Sequence, residues 1–195
     1  MSIDLPGFAA PVTDAQACFR ALLDAMARPG RVHDVAAGLT APAPLVPATA
    51  AVLLTLVDAE TPLWLAPEFA PTRDWIDFHC GAPVVTDIGA ASFVVCDSLP
   101  DLATLDAGTD ESPDASATVI LQVHGLTGGR GLRLDGPGLR EPADLAVDGL
   151  PDDFVARWAA NHALFPRGID LILAAGHEVA ALPRSLRILR IAEGM

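Results

Sequence analysis

The sequence predicts one layered α/β domain over residues 1–195. Segments with helical and strand periodicity alternate along the chain, and the apolar residues fall in separated runs rather than one long one. Hydrophobic residues make up 51% of the 195 and charged residues 19%, which excludes a disordered chain and supports one well-buried core. The length is short for two domains.

The first helix starts at a capping-box pattern, TDAQ at residues 13–16, which sets Asp14 near the positive end of the helix dipole. Cys18, Leu22 and Ala25 or Met26 recur at three- and four-residue spacing, and Phe19 and Leu23 widen the stripe, so this whole face is expected in the core. Arg28, Pro29 and Gly30 stop the helix. A short strand over residues 32–35 and a Pro- and Ala-rich loop over 38–47 follow. Residues 47–58, PATAAVLLTLVD, are apolar nearly all round; their length and leading proline predict a buried helix. Residues 62–66 read as strand, 72–79 as a helix with Trp75, Ile76 and Phe78 apolar, and 92–96 as a buried strand. Residues 101–106 hold at most one helical turn, and 108–116, GTDESPDAS, form an acidic loop. ATVILQV at 117–123 predicts a buried strand that a Gly128-Gly129 turn joins to a second strand at 131–134. Residues 151–164 predict the last helix, with Phe154, Trp158 and Leu164 or His162 facing inward. Residues 186–191, LRILRI, alternate apolar and basic as a final strand with one solvated face.

The densest stretch is FPRGIDLILAAGHEVAALPRS, residues 165–185, which predicts a β-hairpin with strands at 169–174 and 179–182 and a turn at 176–178. Asp170 shares a strand face with Ile172 and Ala174, and an unpaired carboxylate there costs on the order of several kcal/mol. It needs a partner or an exposed strand end. Antiparallel pairing brings Arg184 towards the end holding Arg167 and Asp170, which suits an internal ion pair or capped loop first and an anionic ligand, such as a carboxylate or phosphate, second. Arg167, Asp170 and Arg184 are therefore candidate ligand-binding residues, and His79, beside Phe78 at a helix end, is a further candidate.

The net charge of −13 and the lack of any basic run oppose binding to nucleic acid or an anionic membrane. All twelve cationic side chains are arginine; the chain contains no lysine and no tyrosine. That excludes a lysine Schiff base, a Walker lysine and a lysine general base on this chain. No GxxxxGK[ST], HExxH, CxxC or GxSxG pattern occurs. Gly136-Pro137-Gly138 lacks the third glycine of a dinucleotide fingerprint, and Gly128-Gly129-Arg130-Gly131 suits a plain turn or an anion nest. Asp58 and Glu60 fit a solvated helix end better than an acid–base pair, and the three tryptophans sit in periodic apolar settings that packing explains. Cys18, Cys80 and Cys96 are odd in number and widely spaced, as buried thiols of a reducing compartment are, and no two histidines share metal-site spacing. No apolar run reaches the 20 or so residues that cross a bilayer, and the N-terminal residues do not read as a secretory signal, so a cytoplasmic location is expected. A mean hydropathy of +0.39 favours burial of part of the surface in an oligomer or complex.

Several motifs in order, FRALLDAMARPG at 19–30, LLTLVDAETPLWL at 53–65, FHCGAP at 78–83, ATVILQV, LTGGRGLRL at 126–134 and FPRGIDLIL with ALPRS, make the chain resemble the PhnH family, the H subunit of the bacterial carbon–phosphorus lyase system, over nearly its whole length. The resemblance implies an α/β/α arrangement with a mixed sheet, like the large domain of pyridoxal-phosphate-dependent transferases, with the cofactor site degenerate and no cofactor or metal held. It also implies a homodimer in isolation and a core complex with the G, I and J subunits, which supports formation of ribose 1-methylphosphonate 5-triphosphate from ATP and methylphosphonate. No catalytic residue transfers from the family to this chain, which is expected to be a non-catalytic assembly subunit. The contrasting expectation is a free-standing enzyme or binding protein for a phosphorylated small molecule, and turnover by the isolated chain distinguishes the two.

Overall fold

The computed structural model of the protein describes residues 5–190. Near-continuous runs of branched and small apolar residues build its central sheet, as expected of strands buried on both faces. In chain order the elements are α1 (Pro11–Ala27), β1 (His33–Asp34), α2 (Pro47–Leu56), β2 (Leu63–Leu65), α3 (Arg73–Cys80), β3 (Phe93–Cys96), β4 (Thr118–Gln122), β5 (Gly125–Asp135), β6 (Ala143–Asp148), α4 (Phe154–His162), β7 (Asp170–Ala175), β8 (Glu178–Leu182) and β9 (Arg187–Arg190), with short 3-10 turns between some of them. Six strands form a mixed sheet in the order β1-β8-β7-β4-β3-β2. β2, β3, β4 and β7 run parallel, while β8 returns antiparallel to β7 and β1 antiparallel to β8.

A second, antiparallel sheet of order β6-β5-β9 corrects the expected hairpin between 117–123 and 131–134. After Gln122 the chain leaves the six-stranded sheet, His124 donates its amide to the Asp148 carbonyl, and β5 pairs with β6 instead. Gly128 and Gly129, at φ +77° and +71°, form a bulge within β5 rather than a turn. A Cβ on Gly129 would stand 2.6 Å from the Asp148 Cα, so close strand approach requires glycine there. β6, ADLAVD, had no counterpart among the expected elements: only Leu145 and Val147 are buried, and its two acids, Asp144 and Asp148, mask the strand pattern. The final strand forms as expected through Arg190, pairing with β5; Ile191 lies outside the described residues.

α1 begins before the capping-box pattern. Its N-cap is Ala10, whose amide donates to the Asp14 carboxylate at 2.8 Å, so Asp14 supplies the cap contact and Thr13 does not. Cys18, Leu22 and Ala25 face inward, but Phe19 and Leu23 are 45% and 53% exposed. α1 packs against α2 and β8, and that contact covers only a narrow stripe of the helix. On α4, Phe154, Trp158 and Asn161 turn inward in place of Leu164 or His162; Leu164 is exposed and His162 half-buried. Trp158 Nε1 donates to the Leu186 carbonyl at 2.8 Å, tying α4 to the segment before β9. One hydrophobic cluster joins Leu132, Leu145 and Val147 of the second sheet to Leu171, Leu173 and Val179 of the first. Among the described residues no helix is long and apolar enough to cross a membrane.

Candidate functional site

The β7–β8 hairpin forms through a two-residue connection, Gly176-His177, with Ala175 opposite Glu178 and Gly176 at φ +55°. Its register sets Leu171 against Leu182, which carries Asp170 and Arg184 to the same open end. There the Arg184 amide donates to Asp170 Oδ1 at 2.7 Å, and Arg184 Nε lies 3.1 and 3.2 Å from the two carboxylate oxygens. The terminal nitrogens bond Asp170 Oδ2 and the carbonyl of Pro113. With the side chains only 14% and 20% exposed, the forked guanidinium binds its own chain on both sides. The pair thus closes the hairpin end onto the 3-10 turn at Pro113–Ala115.

Arg167 is not brought to Asp170. Its Nε lies 3.1 Å from Asp110 in the acidic loop, with the two side chains 42% and 81% exposed, a setting in which an ion pair contributes at most about 1 kcal/mol. His79 sits on α3, and its contacts belong to α3 and the N-terminal segment: Nε2 is 3.2 Å from the Leu5 carbonyl, which also accepts from Trp75 Nε1 at 3.0 Å. Its ring lies 4.7 Å from that of Trp75 and edge-on to Phe78 at 5.0 Å. The structure therefore unites two of the four candidates, Asp170 and Arg184, and holds the other two elsewhere.

Beside the pair lies an open cleft of about 390 Å³ walled by Pro113, Phe165, Pro166 and Pro183. Behind it stands Asn161, which the sequence alone did not single out. Its Nδ2 donates to the Ile169 carbonyl at 2.9 Å and its Oδ1 accepts from the Ile169 amide at 2.8 Å, so one buried side chain satisfies both backbone groups of the residue entering β7. The signal was present: Asn161 continues the Phe154 and Trp158 stripe at helical spacing, and a polar residue on such a stripe requires a partner.

A larger cleft, about 670 Å³, opens between the turn after α1 and the turn joining β5 to β6. Arg28, Arg31 and Arg140 line it with Pro29, Gly30 and Gly138. The visible signal is a pair of Pro-Gly turns, RPGR at 28–31 and GPGLR at 136–140, each edged by arginine. Among the described residues no group of three His, Cys, Asp or Glu side chains is placed to hold a metal ion. Burial pushes the Cys80 and Cys96 thiols up to about 12, with Asp97 and Glu68 adding to the effect at Cys96, so both stay protonated near neutrality and are poor nucleophiles.

A family model described as bacterial phosphonate metabolism protein (PhnH) matches residues 6–189. The chain is 42% identical, over 188 residues covering 94% of each partner, to alpha-D-ribose 1-methylphosphonate 5-triphosphate synthase subunit PhnH of Rhizobium meliloti (strain 1021). It is 37% identical over 174 residues, 89% of this chain and 85% of the relative, to HtxG of Stutzerimonas stutzeri, which is named provisionally as a C-P lyase subunit protein.

Proposed function

Because the chain belongs to the PhnH family of bacterial phosphonate metabolism proteins, we propose that it is a subunit of a ribose 1-methylphosphonate 5-triphosphate synthase within a carbon–phosphorus lyase complex. The observation that carries this reading is the 42% identity to a subunit of that synthase over 94% of both chains. On this reading the chain acts in the cytoplasm as one domain, forms a homodimer in isolation, and assembles with G, I and J subunits into a core complex that supports formation of ribose 1-methylphosphonate 5-triphosphate from ATP and methylphosphonate.

Its own role is assembly. The polar groups that the sequence offers as a site have internal partners: Asp170 and Arg184 hold the hairpin end, and His79 anchors the N-terminal segment. We assign these residues and Arg167 to shaping the surface presented to other subunits. The likeness to the large domain of pyridoxal-phosphate-dependent transferases, with helices on both faces of the sheet, belongs to the same proposal and is supported by the parallel β2-β3-β4-β7 core. Pyridoxal phosphate itself does not fit these residues as a catalytic group, since without lysine no internal aldimine can form on this chain.

Deleting the gene should abolish growth of its host on methylphosphonate as sole phosphorus source while leaving growth on phosphate unchanged, and a plasmid copy of this chain should restore it. Normal growth of the deletion strain on methylphosphonate would overturn the assignment.

A further inference from the structure

The geometry points to an oligophosphate site in the cleft between the two Pro-Gly turns: we propose that Arg28, Arg31 and Arg140 bind the triphosphate tail of a small molecule. The choice of a triphosphate rests on the synthase-subunit reading; the site itself rests on the following observations.

Three of the twelve arginines of a chain with net charge −13 converge on one cleft. The field of such a protein repels anions, so a local gathering of guanidinium groups is where an anion can be held. Internal pairing does not use them up. Arg28 and Arg31 share one carboxylate, Asp24, which His33 Nε2 also approaches at 3.2 Å. The Arg31 contact to Asp24 is 3.5 Å, and the two arginine side chains are 55% and 59% exposed, so these pairs are weak and leave donors facing water. Arg140 is exposed and makes no hydrogen bond or ion pair among the described residues. Glu141 also lines the cleft, so with Asp24 the carboxylates number two against three guanidiniums. The local excess is cationic.

The backbone holds this arrangement in place. Gly138, at φ +87°, lets the second turn press against the end of α1, where a Cβ would overlap the Ala27 carbonyl oxygen. Gly30, at φ +90°, lies against Ala143 in the same way, with 3.1 Å to the position its Cβ would take. Pro29 and Pro137 stiffen the two turns. The arginines thus project from turns that cannot separate without breaking backbone packing. A volume of about 670 Å³ is in the range of small-molecule sites, larger than one phosphate needs. Guanidinium forks suit several phosphate oxygens at once.

The test is calorimetric titration of the purified full-length chain with sodium tripolyphosphate, ATP and inorganic phosphate at low salt. Tripolyphosphate is expected to bind at least about tenfold more tightly than phosphate, and affinity should fall as salt rises. Arg140→Ala should weaken tripolyphosphate binding about tenfold, the effect of one charged contact, and Arg28→Ala with Arg140→Ala should bring it to the level of phosphate. Arg133→Ala, which removes an arginine paired with Asp144 elsewhere on β5, should bind as the unaltered chain does. Equal affinity for ATP and tripolyphosphate assigns recognition to the triphosphate alone, and tighter ATP binding assigns a nucleotide as its carrier; both support the site. Absence of tripolyphosphate binding, equal binding of phosphate, or unchanged binding by a folded Arg140→Ala chain overturns it. Such a failure in a chain that still restores growth on methylphosphonate would leave the subunit role standing.

Discussion

Asp170→Ala should lower the unfolding free energy by about 3 kcal/mol, read as a fall in the urea midpoint with an unchanged slope. Removing the carboxylate strands the Arg184 guanidinium, 14% exposed, beside an apolar strand end, with only the Pro113 carbonyl left as a partner. It also orphans the Arg184 amide, which donates to Asp170 at 2.7 Å. The figure sits at the low end for breaking a buried pair because both side chains keep some contact with water. Asp170→Leu combined with Arg184→Met should recover part of the loss, since the cost comes from the unpaired charge more than from the missing attraction. An Asp170→Ala chain as stable as the original would show that the pair does not hold the hairpin end.

Asn161→Ala is expected to cost about 3 kcal/mol by a different route. No charge is involved. The Ile169 amide and carbonyl each lose their side-chain partner in a region closed to water, and each unsatisfied group costs about 1–3 kcal/mol. Native-state hydrogen exchange checks this locally, because the Ile169 amide should lose protection while amides of β4 fall only with global stability. Unchanged exchange at Ile169 would contradict the assigned role.

These two positions mark how far the fold was legible. The β7–β8 hairpin and the need of its carboxylate for a partner could be read directly, because an apolar run, a glycine turn and the two-residue alternation of strands fix which side chains share an end. The buried helix α2 was equally legible from its leading proline and its uniform apolar composition. The second sheet was not. Gly128-Gly129 reads locally as a turn, and only the pairing of β5 with the acid-bearing β6 makes it a bulge. The exposure of Phe19 and Leu23 escaped for a related reason: α1 carries more apolar surface than one neighbouring layer covers, and the sequence does not say which stripe the neighbours take. Arg28 and Arg31 share one turn but Arg140 lies far from them in the chain, so the arginine cleft exists only once the two turns meet through Gly138 and Ala27. Arg167 and Arg184 looked alike in sequence, and the difference between an exposed pair with Asp110 and a half-enclosed one with Asp170 is set by the loop at 108–116.

The central claim is that this chain works as part of a larger complex. It is tested most directly by tagging the chain at its own locus, purifying it from phosphate-starved cells grown on methylphosphonate, and weighing the eluted assembly by native mass spectrometry. Co-elution with G, I and J homologues at fixed stoichiometry is the expected result. A homodimer that elutes alone under those conditions would contradict it.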